Sequence, residues 1–405
     1  MSGEFSNPAR SVRLWPPVRF EKLVWLISEG GDARRSSRDR GYDSAILDPI
    51  ADVEMLIPSD CALVSEDVRS AIAAFDVRVG DTLAPLETLL VRIESSASSR
   101  IEHVEASLPD LFLAEVGDEM SRSVADVIGN VDATSAAIFL SSDITPQTIL
   151  DIHRALLIDT HPVLAGKWRT EPVWIGSYSA GPPGATFVPP AARHIPDAIE
   201  DLCDFMNRTD IPVFIQAMVM HAHFETIHPF PDGNGRVGRA LIHALLRRDG
   251  LTKSATLPIS AGIVSQKHRY IEALTEYRNG DYVPIVELGA DATFAALRSA
   301  SMLFDDIEMI VRKWQVATGS IRSDSVVHPI VELLLEHPVV DVKSVGELVE
   351  ASASSIGAAL RQLVDLGILQ PLDPSAQRGQ RWGAYELIHV LNNFTSRSIN
   401  PFGRH

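Results

Sequence analysis

The stretch His228-Pro229-Phe230-Pro231-Asp232-Gly233-Asn234-Gly235-Arg236-Val237-Gly238-Arg239 decides how this chain is read. It brings a base, a carboxylate, three glycines and two arginines together. The segment before it, Ile211 to Ile227, predicts a helix, with Pro212 suited to a first helical position and Ile215, Met218, Val219 and Phe224 forming an apolar stripe. Pro229 ends that helix, because it lacks an N–H and disfavours helical backbone at the residue before it. His228 therefore stands at the lip of a loop. Asp232 to Gly235 is a glycine-rich turn in which successive backbone N–H groups can point inward and cradle an anion. A second helix is expected from about Arg236 to Arg248, stopped by Gly250. Its N-terminus faces the turn and favours phosphate there.

Arg236 and Arg239 are three apart and share a helix face. Asp232 is a hard oxygen ligand beside the cradle, which suits Mg²⁺. A nucleoside diphosphate or triphosphate would lie in the loop, and His228 could take a proton from an attacking hydroxyl. Phosphoryl-type transfer needs mainly positioning and charge stabilisation. The plainer alternative is a surface loop between two helices, with His228 as a C-terminal cap and both arginines solvated.

The stretch resembles the signature of the Fic family, His-Pro-Phe-x-Asp/Glu-Gly-Asn-Gly-Arg-x-x-Arg, and matches every fixed position. The resemblance implies a mainly α fold: a Fic helical core with a β-hairpin flap. It also implies transfer of AMP from ATP to a Ser, Thr or Tyr hydroxyl of a target protein or of the chain itself. His228 would then be the general base, Phe230 the anchor of the loop and Asp232 the Mg²⁺ ligand. Gly233, Asn234 and Gly235 would form the anion hole. Arg236, Val237, Gly238 and Arg239 continue the nucleotide-binding helix, with the two arginines on the phosphates. Upstream, Ser98-Ser-Arg-Ile-Glu102-His103 is similar to the family's inhibitory Ser/Thr-x-x-x-Glu-Gly/Asn motif. By that resemblance Ser98 and Glu102 are inhibitory, with Glu102 drawing Arg239 away from the γ-phosphate. His103 departs from the motif's Gly or Asn. In some relatives this glutamate also supports removal of AMP, so a bifunctional enzyme is an alternative.

Val173-Trp174-Ile175-Gly176 and Thr186-Phe187-Val188 are strand-like around the Gly181-Pro-Pro-Gly184 turn, and predict a β-hairpin. The resemblance makes this the flap, pairing edge-on with the target segment, with Val173 to Gly176 also flanking the nucleotide. Tyr270 matches one of two adjacent tyrosines near the adenine in the family; the second position is Ile271. The competing reading of Tyr270 is a half-buried helix residue.

Around this core we expect four regions. Residues 1–64 form an N-terminal irregular segment, with short strands around Leu23–Trp25 and Ile46–Ile50 and a polar loop over Gly30–Gly41. Residues 65–142 form a helical region that includes the inhibitory helix, broken near Gly80-Asp81. Residues 143–318 are the catalytic core. There Thr145-Pro146 resembles an N-cap with a first-position proline. Residues 319–405 resemble a winged helix, with helices over 328–337, 344–351 and 354–366 and then a hairpin.

DNA binding, by a regulator with a nucleotide-sensing core, is the rival that this last region raises. From Val326 to Phe394 there are 4 Lys/Arg against 8 Asp/Glu, which favours an interaction or dimerisation module, and a homodimer is a candidate assembly. The whole chain, at −17, also argues against a broad nucleic-acid surface. Cys61 and Cys203 belong to no ligand-spaced pair and read as reduced core thiols. No apolar run approaches bilayer-spanning length, and residues 1–5 lack a signal pattern, consistent with a cytoplasmic protein. His223 and His228 are five apart rather than four, and Pro229 intervenes, so a His-Glu-x-x-His zinc site is not read here. No Walker-type phosphate loop is present.

Overall fold

A computed structural model describes residues 15–25, 40–80, 86–117, 120–176, 181–253, 255–373, 375 and 379–399. In chain order the elements begin with β1 (Arg19–Trp25), β2 (Arg40–Ile46), α1 (Ser59–Gly80), α2 (Leu86–Ile101), α3 (Leu108–Glu115) and α4 (Arg122–Phe139). The central block is α5 (Pro146–Leu157), α6 (Ile195–Met206), α7 (Val213–Ile227), α8 (Asn234–Arg248), α9 (Ile259–Val264), α10 (Lys267–Arg278) and α11 (Val283–Thr318). The last part is α12 (Val327–Leu333), β3 (Val339–Asp341), α13 (Val342–Leu348), α14 (Ala353–Asp365), β4 (Gln370–Pro371), β5 (Arg381–Gly383) and α15 (Tyr385–Ile399). The fold is mainly α, as expected. Among the described residues no helix is long and apolar enough to cross a membrane.

The middle of the core is α7. Every residue from Phe214 to Ile227 is buried, so the apolar stripe expected from the sequence widens to the full circumference. Most of its polar side chains find partners, though His221 Nδ1 and Glu225 Oε1 do not. Gln216 donates to the carbonyls of Phe205, Met206 and Arg208 at the end of α6. His221 and His223 meet the hydroxyls of Tyr270 and Tyr277 at 2.9 and 2.8 Å. Both histidines are thus polar packing residues of a buried helix. Around α7 pack α6, α8, α10 and α11, and α11 in turn carries α1, α9 and α15. Thr145 caps α5 as expected, with Pro146 in its first turn. Cys61 and Cys203 are buried and unpaired, their thiols pushed up to about 11 and about 12, first by burial.

Two expectations are corrected. The segment expected to be irregular holds an antiparallel ladder, β1 on β2, running from Arg19↔Ile46 to Trp25↔Arg40. The strand expected at Ile46–Ile50 ends where it was to begin. Pro49 cannot donate to a ladder, and the N–H groups of Ile50 and Ala51 go instead to the Asp201 carboxylate. Most of the polar loop expected over 30–41 lies outside the described residues, but Gly41 is inside β2. Second, α1 starts at Ser59 rather than Ser65. The two arms expected of the flap meet in the antiparallel bridge Ile175↔Phe187, and residues 177–180 lie outside the described residues. In the C-terminal region the three expected helices and the strands of the hairpin are present, but β3 lies between the first two helices and joins the hairpin in a three-stranded sheet ordered β3-β5-β4, and α15 follows. It is tied to the rest by α15 on α11, α9 and α3 and by Arg92 of α2 donating to the Glu336 carbonyl.

Candidate active site

The loop between α7 and α8 is fixed by its own side chains. His228 caps α7 in the left-handed region, φ 49° and ψ 61°, which turns the chain sharply as it leaves the helix. Its Nδ1–H donates to the Glu225 carbonyl at 3.3 Å, with the Glu225 carboxylate 3.6 Å away. That leaves the Nε2 lone pair of the ring free to accept a proton. Burial pushes the Glu225 carboxyl up, but the hydrogen bond and charge of His228, with His221 and Arg239 behind, outweigh it and hold the group at about 2. Glu225 is therefore an anion wherever His228 works, and it orients the ring.

Beyond His228 the Phe230 ring is fully buried. It stacks on His153 at 3.6 Å and on Trp168 at 4.9 Å. Asn234 bridges the turn with its side chain: Oδ1 accepts from the Phe230 N–H and Nδ2 donates to the Phe230 carbonyl, both at 2.8 Å. His153 is clamped from two sides. The Gly166 N–H donates to Nδ1 at 3.1 Å, so the proton sits on Nε2 and is donated to the Asp232 carbonyl at 3.1 Å. Burial pushes this histidine down to about 4, so it stays neutral. Arg169 is buried and donates to four carbonyls around the loop, among them His228 at 2.8 Å and Pro190 at 2.6 Å. Burial pushes its guanidinium down to about 10.

The cradle is the start of α8. Gly233, at φ +84°, is its N-cap, so the helix begins at Asn234, two residues earlier than expected. A side chain at Gly233 would be strained and would meet Leu156 at 2.6 Å. Asp232 is half exposed; its Oδ1 accepts from the Gly233 N–H at 2.7 Å and lies 3.3 Å from Arg236 Nη2. One exposed carboxylate beside a phosphate cradle is a donor set that fits Mg²⁺, which takes few protein ligands and completes its shell with phosphate oxygens and water. Among the described residues no three His, Cys, Asp or Glu side chains cluster as an all-protein metal site. The Arg236 guanidinium is buried with Nε and Nη1 unpartnered, beside the position a phosphate would take.

Arg239 is turned to α2. Its Nε donates to Ser98 Oγ, and Nη2 donates to the Ser98 carbonyl and to Glu102 Oε1, each at 2.9 Å. Glu102 sits one residue beyond α2, over the first turn of α8; a Cβ on Gly235 would fall 2.0 Å from its Oε1. His103 follows at φ +63°. The motif's Gly or Asn at this position is thereby explained, since those residues take left-handed backbone most readily, and histidine is also enriched there. Lys267 of α10 donates to the Ile101 carbonyl at 2.6 Å and closes the end of α2.

Two further contacts along the same pair of helices were not read from the sequence. Glu94 of α2 meets His243 of α8 at 3.1 Å and accepts from the Ser260 N–H at 2.9 Å, all buried, and Glu87 pairs with Arg247. Glu87, Glu94, Ser98 and Glu102 recur at seven, four and four residues, and Arg239, His243 and Arg247 at four. That spacing was the available signal.

Not every expected nucleotide residue lines the cradle. The Val237 side chain is wholly buried, and Gly238 abuts His221 and Phe224, letting α7 and α8 approach closely. These two pack the helix. Tyr270 is buried rather than half-buried, with its hydroxyl on His221. Val173, Trp174, Ile175 and Gly176 lie on the flap's first arm. Trp174 is backed by Trp25 of β1 at 6.1 Å, and the Ala45 N–H of β2 donates to the Val188 carbonyl at 2.9 Å, so the N-terminal ladder supports the flap.

A helix, a histidine-led anion loop and a second helix inside an all-helical core define a Fic-type domain. The comparisons agree. Residues 143–246 match the Fic/DOC family. The protein adenylyltransferase Fic of Nematostella vectensis is 30% identical over 162 residues, covering 39% of this chain and 34% of that protein. The protein adenylyltransferase Fic of Aedes aegypti is 34% identical over 152 residues, covering 37% and 28%. A Fic family protein of Desulfovibrio desulfuricans G20 shares the fold, with a TM-score of 0.52 at 21% identity over 84% of this chain and 98% of that one. The chain spans about a third of the length of the curated relatives it matches.

Proposed function

We propose that this chain is a protein adenylyltransferase held in check by Glu102. The observation that carries the reading is a fixed histidine base beside the N–H groups of a helix start, in a domain whose relatives are named protein adenylyltransferases. ATP lies with its phosphates against Gly233, Asn234 and Gly235, and the flap aligns a target segment by backbone pairing. The hydroxyl oxygen of a Ser, Thr or Tyr attacks the α-phosphorus, and its proton passes to His228 Nε2. The bond from the α-phosphorus to the bridging oxygen breaks, and pyrophosphate leaves. Arg236 and the helix start stabilise the charge that develops. Mg²⁺ held by Asp232 would neutralise the phosphates as a Lewis acid.

In the state described here the helix start faces the Glu102 carboxylate, and Arg239 is committed to Ser98 and Glu102. Glu102 therefore repels the γ-phosphate and denies it a cation. The acidic C-terminal region is read as a protein-interaction module rather than a DNA reader.

The test is transfer of label from α-labelled ATP. Glu102→Gly is expected to raise auto-labelling about tenfold or more, the order of one charge-assisted contact. Adding His228→Ala to it should cut labelling roughly a hundredfold or more, the range of a general base. Equal labelling by wild type and Glu102→Gly would remove the inhibition; undiminished labelling by the double variant would remove His228 from its role.

A further inference from the structure

Arg278, half-buried in the last turn of α10, differs from the buried Arg169 and Arg239. Arg169 spends its guanidinium on four carbonyls, and Arg239 is bonded to Ser98 and Glu102. The Arg278 guanidinium makes no hydrogen bond or ion pair among the described residues, and its Nε is buried without a partner. Its Cζ lies over the ring of Phe187, on the second arm of the flap, 3.9 Å from the centroid. The aromatic face and the end of α10 hold a cation there but satisfy none of its donors. Burial pushes it down to about 10, opposed chiefly by the charge of Glu225, the carboxylate that is already engaged by His228. A half-buried planar fork with an unpartnered Nε beside the flap is an open site for a carboxylate.

We propose that Arg278 is a specificity-determining residue that receives a carboxylate side chain of the acceptor polypeptide, close in sequence to the hydroxyl that is modified. This rests on the adenylyltransferase reading. The nucleotide phosphates are not the intended ligand: they have their own amides and arginines at the start of α8, and Arg278 ends a different helix on the flap side. A target segment paired along the flap runs past Phe187 and so past the guanidinium beneath it. An Asp or Glu of that segment then forms two parallel hydrogen bonds to the fork and sets which hydroxyl comes before His228.

The test uses Glu102→Gly protein, labelled ATP and Mg²⁺. Short peptides carry a single Ser, Thr or Tyr, with Glu, Gln or Lys placed in turn at each neighbouring position. We expect one position at which Glu is favoured over Gln about tenfold in kcat/KM, through KM, as one charge-assisted pair provides. Arg278→Gln should bring that ratio to about one, Arg278→Lys should restore part of it, and Arg278→Glu should move the preference to Lys at the same position. A change of sign is something a mere support for the flap would not give. Melting of each variant by circular dichroism checks that it folds. An unchanged Glu-to-Gln ratio in folded Arg278→Gln, or equal loss on every peptide, overturns the assignment while the transferase reading stands. No label on the peptides or on the protein itself would defeat the transferase reading, and this proposal with it.

Discussion

The α7–α8 loop and the tip of α2 meet at Arg239, and they are built in opposite ways. The loop is braced from inside. Asn234 bonds both backbone groups of Phe230, His153 stacks on the ring and holds the Asp232 carbonyl, and Arg169 grips the carbonyl of His228. All three bracing side chains are buried. The tip of α2 reaches in from outside. Glu102 lies beyond the last helical residue, its side chain is 39% exposed, and it touches the site through one carboxylate oxygen. On the proposed function the contrast separates machinery from plug: the first would keep its shape for catalysis, whereas the second would have to leave. Lower on α2, Glu94–His243 and Glu87–Arg247 tie the helix to α8, and on the proposed function they would keep it docked when its end yields.

Stability measurements can break this comparison. Asn234→Ala leaves the buried N–H and carbonyl of Phe230 without partners and should cost roughly 2 to 4 kcal/mol of unfolding free energy, read from denaturant melts. Glu102→Gly should cost distinctly less, because a half-exposed ion pair contributes little and Ser98 still holds Arg239. Equal losses would mean that the plug is part of the scaffold.

A smaller effect sharpens it. His153 and His221 are held at about 4 and His223 at about 3, each first by burial, below the usual value of about 6.5. A histidine depressed in the fold takes up its proton on unfolding, so stability falls as pH drops from about 6.5 towards 4. Each should contribute a slope of about 1.4 kcal/mol per pH unit in that window. His153→Phe should remove one proton from the uptake measured by melts between pH 6 and 4.5. An unchanged slope would mean that the loop does not bury His153 as tightly as the stacking on Phe230 implies.

The same contrast explains what the sequence made legible. His228 to Arg239 is local: Pro229, Gly233 and the two arginines carry their geometry in their own spacing, so helix, turn and helix were readable to within two residues. The Arg239–Glu102 contact joins residues 137 positions apart and was reached only through the resemblance. His153 and Arg169 were missed because a buried histidine and a carbonyl-binding arginine have no pattern of their own; each is defined by backbone groups about sixty to eighty residues away. The β1–β2 ladder was hidden for a related reason, since its pairing depends on a register set across residues 26–39. Val237 and Gly238 lie inside the motif yet face α7, so membership of a signature did not settle which way each residue points.

The central claim is that a carboxylate from α2 stands where the phosphates bind. The most direct measurement is a crystal structure of Glu102→Gly with Mg²⁺ and a non-hydrolysable ATP analogue. The account predicts the triphosphate against the N–H groups of Gly233 to Gly235, with Arg239 turned from Ser98 towards the terminal phosphate. A triphosphate bound elsewhere, with Arg239 still on Ser98, would contradict it.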